Sequence, residues 1–364
     1  MRRIILRAFC PLAVAASALW ASPSFGDVLL WEGNTWKAHR FTDAGDLRQS
    51  YDPGSIPIED FIGYAVDSAS EYVYAHSFSI GFGEVWPMSA DTGDLAGFFE
   101  VHGNFVQTGG VDLPRIVQPR TYRFHVNSMT GGEEVFVSAY TGGHDLGGGT
   151  GAARIERFSA IDGSLIQSIF LPNPNSLVSD IAFGADDRMF AATDDGVIAF
   201  TKQAGGMAGL YGSPGSPGTL LVPGNIYGTI AIGADGAILY RSSLSGTNIN
   251  RFDPTTGALL GELIGPADLA GDLLVAFEVD SNGALFLVHG RGDPSFRTYF
   301  LSKFNSVTGD LISTVTLDKV HSPGNFLAGE LYILPVPEPA TATVAAVLTM
   351  GGAGWARRQN RAFC

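Results

Sequence analysis

The sequence predicts an all-β chain folded as a six-bladed β-propeller, on three observations. A unit of two short hairpins recurs through residues 27–334, and a Gly closes the second hairpin of each copy. Between the two ends, no stretch keeps the 3.6-residue apolar spacing of an amphipathic helix. Seven blades also fit, because the first two units are long.

The second hairpin is the sharper signal. Asn250–Leu259 reads as a strand, the turn Asp253-Pro254-Thr255-Thr256-Gly257 and another strand, and Ser302–Leu311 repeats it through Asn305 and Gly309. Weaker copies close on Gly93, Gly163 and Gly205, and a shortened one runs from Arg40-Phe41 through Gly45 to Leu47. Gly stands where such a turn needs positive φ, and β-branched and aromatic residues mark the strands. The closing Gly residues at 93, 163, 205, 257 and 309 lie 42 to 70 apart, which is room for four short strands each.

The first hairpin is an apolar strand, a polar turn and a second apolar strand. It appears as Ala65–Ser68 before Tyr72–Ala75, Val126–Ser128 before Val135–Val137, and Phe183–Asp186 before Met189–Ala191. Two more copies are Gly233–Gly236 before Ile238–Tyr240 and Val279–Gly283 before Leu285–Leu287. The ends carry half-units. Trp36–Leu47 supplies outer strands with one inner strand, Val28–Trp31, whereas Asn325–Leu334 supplies inner strands with nothing after them. Neither half buries its apolar face alone, so the two are expected to share one blade.

Charge separates the middle from the ends. All 36 Asp and Glu lie between residues 27 and 339, but six of the 22 Lys and Arg (Arg2, Arg3, Arg7, Arg357, Arg358 and Arg361) lie outside it. A domain this acidic repels nucleic acid and stays soluble. Both cysteines, Cys10 and Cys364, are also terminal, so stability must come from burial and not from disulfides.

Residues 1–26 join basic Arg2-Arg3 and Arg7 to an apolar run, residues 11–20, and to small residues at Ser24 and Gly26. That order is a secretory signal peptide, with an apolar run too short to span a bilayer. Residues 335–364 form a second sorting element. Pro337-Glu338-Pro339 precedes 17 uncharged residues, Ala340–Ala356, and then the cluster Arg357, Arg358 and Arg361. An uncharged run with a basic end reads as a short transmembrane helix whose far end stays in the cytoplasm. Motif, helix and arginines in this order resemble the PEP-CTERM sorting signal. The resemblance implies a Gram-negative bacterium, transient anchoring in the inner membrane, and processing by an exosortase, a membrane-embedded cysteine protease. The final location would be the cell surface or extracellular matrix.

Candidate chemistry falls on one face. In a propeller the loops joining second and third strands cluster around the central channel. Just past those strands stand His76, Tyr140, Asp194, Arg241 and His289. His and Asp can ligate a metal, while Arg and Tyr can donate to a polar ligand. The plainer reading of each residue alone is structural, since every strand must end in a polar loop. The turn acids of Asp280-Ser281-Asn282-Gly283 and Asp194-Asp195-Gly196 suit a divalent metal such as Ca²⁺, but they depart from the EF-hand spacing and read first as turn residues. The stretch Gly142–Gly151 lacks the lysine of a phosphate loop and reads as a flexible loop. Arg291-Gly292-Asp293 fits a strand-to-strand loop better than an adhesion motif. No H-E-x-x-H or G-x-S-x-G occurs.

These readings favour a non-enzymatic exported protein whose propeller serves as a binding or structural module. Its partners would be extracellular polysaccharide, other surface proteins or a small ligand. The alternative is a metal-dependent lactonase- or lyase-like enzyme working through His76, His289, Asp194 and Arg241. Six-bladed propellers of the gluconolactonase-like and NHL types include both classes, so fold alone does not choose.

Overall fold

The computed structural model describes residues 27–32, 37–51, 61–66, 72–79, 82–94, 99–100, 122–128, 131–139, 154–160, 164–203, 209–212, 218–224, 228–241, 247–292, 298–317 and 331–334. Residues 1–26 and 335–364, expected to be a signal peptide and a sorting tail, lie outside these residues, as do Tyr140, Gly142–Gly151, Gly163, Gly205 and Asp293. Gly26–Pro335 is one compact unit. Among the described residues there is no helix, and so none long and apolar enough to cross a membrane.

The chain is an all-β propeller built of antiparallel four-stranded sheets. Five sheets are runs of consecutive strands. The first holds β4 (Phe61–Val66), β5 (Tyr72–Ser79), β6 (Phe82–Ser89) and β7 (Phe99–Glu100). The second holds β8 (Tyr122–Val126), β9 (Glu133–Ala139), β10 (Arg154–Ser159) and β11 (Leu165–Phe170). The third runs β12 (Val178–Phe183), β13 (Met189–Thr193), β14 (Gly196–Phe200) and β15 (Thr219–Pro223). The fourth runs β16 (Ile230–Ile232), β17 (Ile238–Tyr240), β18 (Ile249–Phe252) and β19 (Leu259–Ile264). The fifth runs β20 (Leu273–Val279), β21 (Ala284–Arg291), β22 (Thr298–Asn305) and β23 (Leu311–Thr316). A further sheet joins the two ends of the domain, in the order β24 (Leu331–Leu334), β1 (Asp27–Glu32), β2 (Lys37–Phe41) and β3 (Leu47–Tyr51).

First strands are neighbours all the way round. β4 lies beside β8, β8 beside β12, β12 beside β16, β16 beside β20, β20 beside β24, and β24 beside β4. Burial follows this order. The second strand β21 is buried from Ala284 to Gly290, whereas the outer strand β23 is exposed at Leu311, Ile312, Ser313 and Thr314. Apolar clusters fill the spaces between adjacent sheets. Phe136 and Ile155 of the second sheet pack with Ile181, Met189 and Phe200 of the third, and Leu239 of the fourth packs with Phe277 and Leu285 of the fifth.

The recurring turn has a chemical cause. Asp253 Oδ1 accepts the amides of Thr255 (2.9 Å) and Thr256 (2.7 Å), and Gly257 closes the turn by donating to the Asp253 carbonyl at 2.9 Å. Asn305 repeats this with Val307, Thr308 and Gly309. Gly257 has φ +70°, and a Cβ there would stand 2.0 Å from the Leu221 carbonyl, so both conformation and contact require glycine. A register shift follows in each case, beside Phe252 and Phe304, as it does beside Phe41 and Phe158.

A cation precedes each of these four phenylalanines, and each has an acid near the start of its own sheet's second strand. Arg40 Nε donates to Asp27 at 2.6 Å, Arg157 Nη2 donates to Glu134 at 2.6 Å, and Arg251 pairs with Asp235. Lys303 lies in the field of Asp280 and then Asp43, although burial outweighs both and lowers its pKa.

Candidate functional site

The channel is crossed by an ion pair. Arg123 on β8 and Glu278 on β20 belong to sheets three positions apart around the ring. Even so, Arg123 Nη2 donates to Glu278 Oε2 at 2.7 Å. Arg123 Nε donates to the Ile181 carbonyl at 2.8 Å, and Asp180 Oδ1 stands 3.8 Å from Arg123 Nη2. The Tyr332 ring of β24 faces the guanidinium at 5.4 Å, a cation–π distance. Four first strands thus send one polar or aromatic side chain each to a single point. Burial disfavours the Arg123 charge, but Glu278 and then Asp180 outweigh it and raise its pKa.

Asp180 is shaped differently. Burial pushes its pKa up to about 6, against the pull of Arg123 and of the Ile230 amide, which donates to Oδ2 at 3.0 Å. A carboxyl raised in the fold binds a proton that the unfolded chain has already released, so stability falls as pH rises from about 4 to 6. Asp180→Asn should remove that slope while leaving the lower window unchanged. There Asp187, held down to about 2 by Lys202 and Ser128 against its burial, loses stability as pH falls below about 4. Melting curves taken across both windows on the two proteins test this. An unchanged slope in the variant between pH 4 and 6 would mean that Asp180 is ionised throughout.

The residues nominated from sequence sit elsewhere. Second strands end on the same face on which first strands begin. Asp194 follows β13 and Arg241 follows β17, whereas His76 and His289 lie inside β5 and β21. Arg241 and His289 approach one another through β20. A register shift between Leu274 and Ala276 frees two carbonyls, and Arg241 Nη1 donates to Leu274 O at 2.8 Å and Val275 O at 3.0 Å. Burial lowers the Arg241 pKa to about 10. His289 is paired opposite Leu274. Asp194 Oδ1 accepts the Leu177 amide at 2.8 Å and so fixes the approach to β12. Tyr140 lies outside the described residues. Of the nominated residues with described side chains, Asp194, Arg241 and His289 each bond to the chain around them.

His289 sits in a chain with the order of a hydrolytic triad. Its Nδ1 is 2.9 Å from Asp272 Oδ2 and its Nε2 is 2.8 Å from Ser302 Oγ, which in turn is 2.8 Å from Thr314 Oγ1. With Asp272 as acceptor, Nδ1–H donates, Nε2 accepts from Ser302, and Ser302 accepts from Thr314. Only 5% of His289 and 2% of Ser302 is exposed, and burial lowers the His289 pKa. A nucleophile must reach its substrate, so this chain is bracing within the sheet. Asp280 likewise accepts the amides of Asn282 and Ala284, as a turn residue does, and no group of three metal-ligating side chains occurs among the described residues.

The channel cluster carried a signal in the sequence. Tyr122-Arg123-Phe124, Asp180-Ile181 and Phe277-Glu278-Val279 each set a charge among the apolar residues of a first strand. Such a charge needs a partner.

No family model matches the chain, and no curated protein matches it. Solved structures resemble it at low identity. A protein of unknown function from Bacteroides caccae has a TM-score of 0.50 at 12% identity, covering 82% of this chain and 96% of its own. The nidogen/laminin complex follows at 0.48 and 12% (84% and 96% covered), and a luciferin-regenerating enzyme at 0.44 and 11% (73% and 84%). At this identity the Bacteroides likeness speaks for the fold alone.

Proposed function

We propose that this is an exported bacterial surface or matrix protein whose propeller, a closed ring of six blades including the composite sheet, serves as a rigid binding or structural module. One observation carries the reading: three described polar side chains at the channel and its rim are bonded within or between blades. Arg123 spans the channel to Glu278, Arg241 bonds to the neighbouring blade, and His289 is fixed between Asp272 and Ser302. A scaffold made rigid in this way presents its loops at fixed positions. The route of export is the PEP-CTERM signal at Pro337-Glu338-Pro339 with its arginine cluster, and an exosortase-type protease is the processing partner. Extracellular polysaccharide or other surface proteins are the partners of the mature form.

Intact-mass measurement on protein recovered outside the cell tests the route. The expected mass lacks residues 1–26 and the uncharged run from Ala340. A mature form that remains in the membrane with that run intact would leave an ordinary anchor.

A further inference from the structure

We infer that two copies of the protein pair edge to edge, β23 of one running antiparallel to β23 of the other, so that their fifth sheets become one continuous sheet. The inference goes beyond the proposed module and stands on the described core alone.

Every sheet of the ring ends on an outer strand, and such a strand is open to pairing unless something blocks it. The other five are blocked or half-covered. β3 carries Arg48, with 52% of its side chain exposed. β7 is two residues long, β15 ends on Pro223, and β19 holds Gly261 and the exposed Glu262. β11 is exposed only at its ends, and its Gln167 amide holds the Tyr211 backbone at 2.7 and 3.0 Å. β23 has none of these features. It reads Leu311-Ile312-Ser313-Thr314-Val315-Thr316, without charge, glycine or proline, and its first four residues are all exposed. Leu311 and Ile312 each show 56% to solvent.

Pairing within the sheet decides which backbone groups are free. Leu317 donates to the Tyr299 carbonyl at 3.0 Å, and Val315 and Ser313 stand opposite Leu301 and Lys303. Bonds to β22 alternate along an antiparallel strand, so Thr314 and Thr316 turn their backbone groups outward. The Thr316 carbonyl is already met by the composite sheet, since a Cβ on Gly45 would stand 2.9 Å from it. Residues 311–315 remain. Centring them on a copy of themselves puts Ser313 on a two-fold axis, with Thr314 facing the second copy's Ile312 and Leu311 its Val315. Such β-branched and apolar cross-strand pairs stabilise a sheet.

Charge and symmetry name the partner. Residues 27–339 hold all 36 acids of the chain, so a basic partner would be drawn to surfaces richer in charge than β23. Two copies of so acidic a domain repel one another across most of their surfaces, and least where an edge carries no charge. An antiparallel strand is also its own complement. The contact closes after two copies and leaves no edge for further growth.

Cross-linking reads the axis directly. Residues 27–339 contain no cysteine, so the full chain with Cys10→Ser and Cys364→Ser accepts one introduced thiol at a time. Ser313 bonds toward β22, which makes it a non-hydrogen-bonded position toward the second copy, with Cα atoms about 4.5 Å apart. A disulfide spans about 4.4–6.8 Å. In mild detergent, Ser313→Cys should oxidise to a covalent dimer several-fold faster than Thr219→Cys, an exposed position on β15. Sedimentation of the parent chain should show a dimer that dissociates on dilution, because so short an edge makes a small interface. Thr314→Pro removes an outward N–H that the sheet does not use, and Ile312→Lys sets a charge on the edge. Both variants should keep the circular dichroism of the parent and sediment as monomers. A parent that is monomeric at its highest soluble concentration overturns the pairing. So does a dimer that both variants keep, or equal cross-linking from positions 313 and 219, and either result leaves the edge to another chain.

Discussion

A chain deleted of residues 27–51 is expected not to fold. The deletion removes β1, β2 and β3 and leaves β24 with no strand to pair with. Val28, Leu29, Leu30, Phe41 and Tyr51 are each at most 1% exposed. At about 1.5–3 kcal/mol for each buried side chain, the loss rivals the whole stability of a typical domain, about 5–15 kcal/mol. The cost also spreads to the neighbours. Leu29, Ala38 and Tyr51 share a cluster with Val73 and Met88 of the first sheet and Val135 of the second, and Arg40 and Tyr51 both donate to the Ala90 carbonyl, at 2.7 and 2.5 Å. Two apolar sheet faces and an unpaired strand edge would be uncovered together, which favours aggregation. The measurement is solubility followed by thermal melting of the deleted chain beside the intact one. A soluble protein with an unchanged cooperative melt would show that the N-terminal strands are dispensable and that the ring does not need them.

The repeat was legible because its cause is local. An Asx residue that accepts two amides, followed by a Gly with positive φ, needs only a few neighbouring residues, so Asp253–Gly257 and Asn305–Gly309 announce themselves in the sequence. The half-units at the two ends were legible for a different reason, since an apolar face without cover demands a partner. The channel cluster depends on closure. Arg123 and Glu278 stand 155 residues apart in sequence and meet only because the ring brings opposite first strands to one point. No local pattern names that partner, although each charge in an apolar strand marks a place where one is required. Reading past the second strands led to residues at one end of the sheets, but side-chain direction decides what such residues do. Arg241 and His289 turn into the sheets and bond there, and nothing in the spacing distinguishes that from a residue aimed at a ligand.

The cations placed before phenylalanine make the same point at higher cost. Arg157 and its three counterparts look in sequence like ordinary polar positions on a third strand. The structure buries Arg157 fully, over the Phe136 and Tyr211 rings at 5.9 and 5.4 Å. Its charge is met by the Glu134 carboxylate at 2.6 and 2.7 Å, with the Gly209 carbonyl as a longer acceptor at 3.3 Å.

Glu134→Ala should for this reason be the most damaging single substitution in the described core. Glu134 takes Arg157 through both oxygens, at 2.7 and 2.6 Å, and also accepts from Asn127 at 2.8 Å. Asn127 in turn accepts from Lys202, which bonds Asp187 of the third sheet at 2.7 Å. Removing the carboxylate takes the counter-charge from a fully buried guanidinium and loosens the polar chain that joins the second and third sheets. Breaking a buried pair from one side costs about 3–5 kcal/mol, whereas replacing both partners by apolar groups of similar volume is often close to neutral. The double variant Glu134→Leu with Arg157→Met should accordingly recover most of what Glu134→Ala loses. Urea unfolding of the three proteins measures this as a shift in midpoint at constant slope. A Glu134→Ala protein within about 0.5 kcal/mol of the parent, the range of ordinary surface changes, would mean that Arg157 reaches water or another acceptor. The pair would then not be what holds the second sheet together.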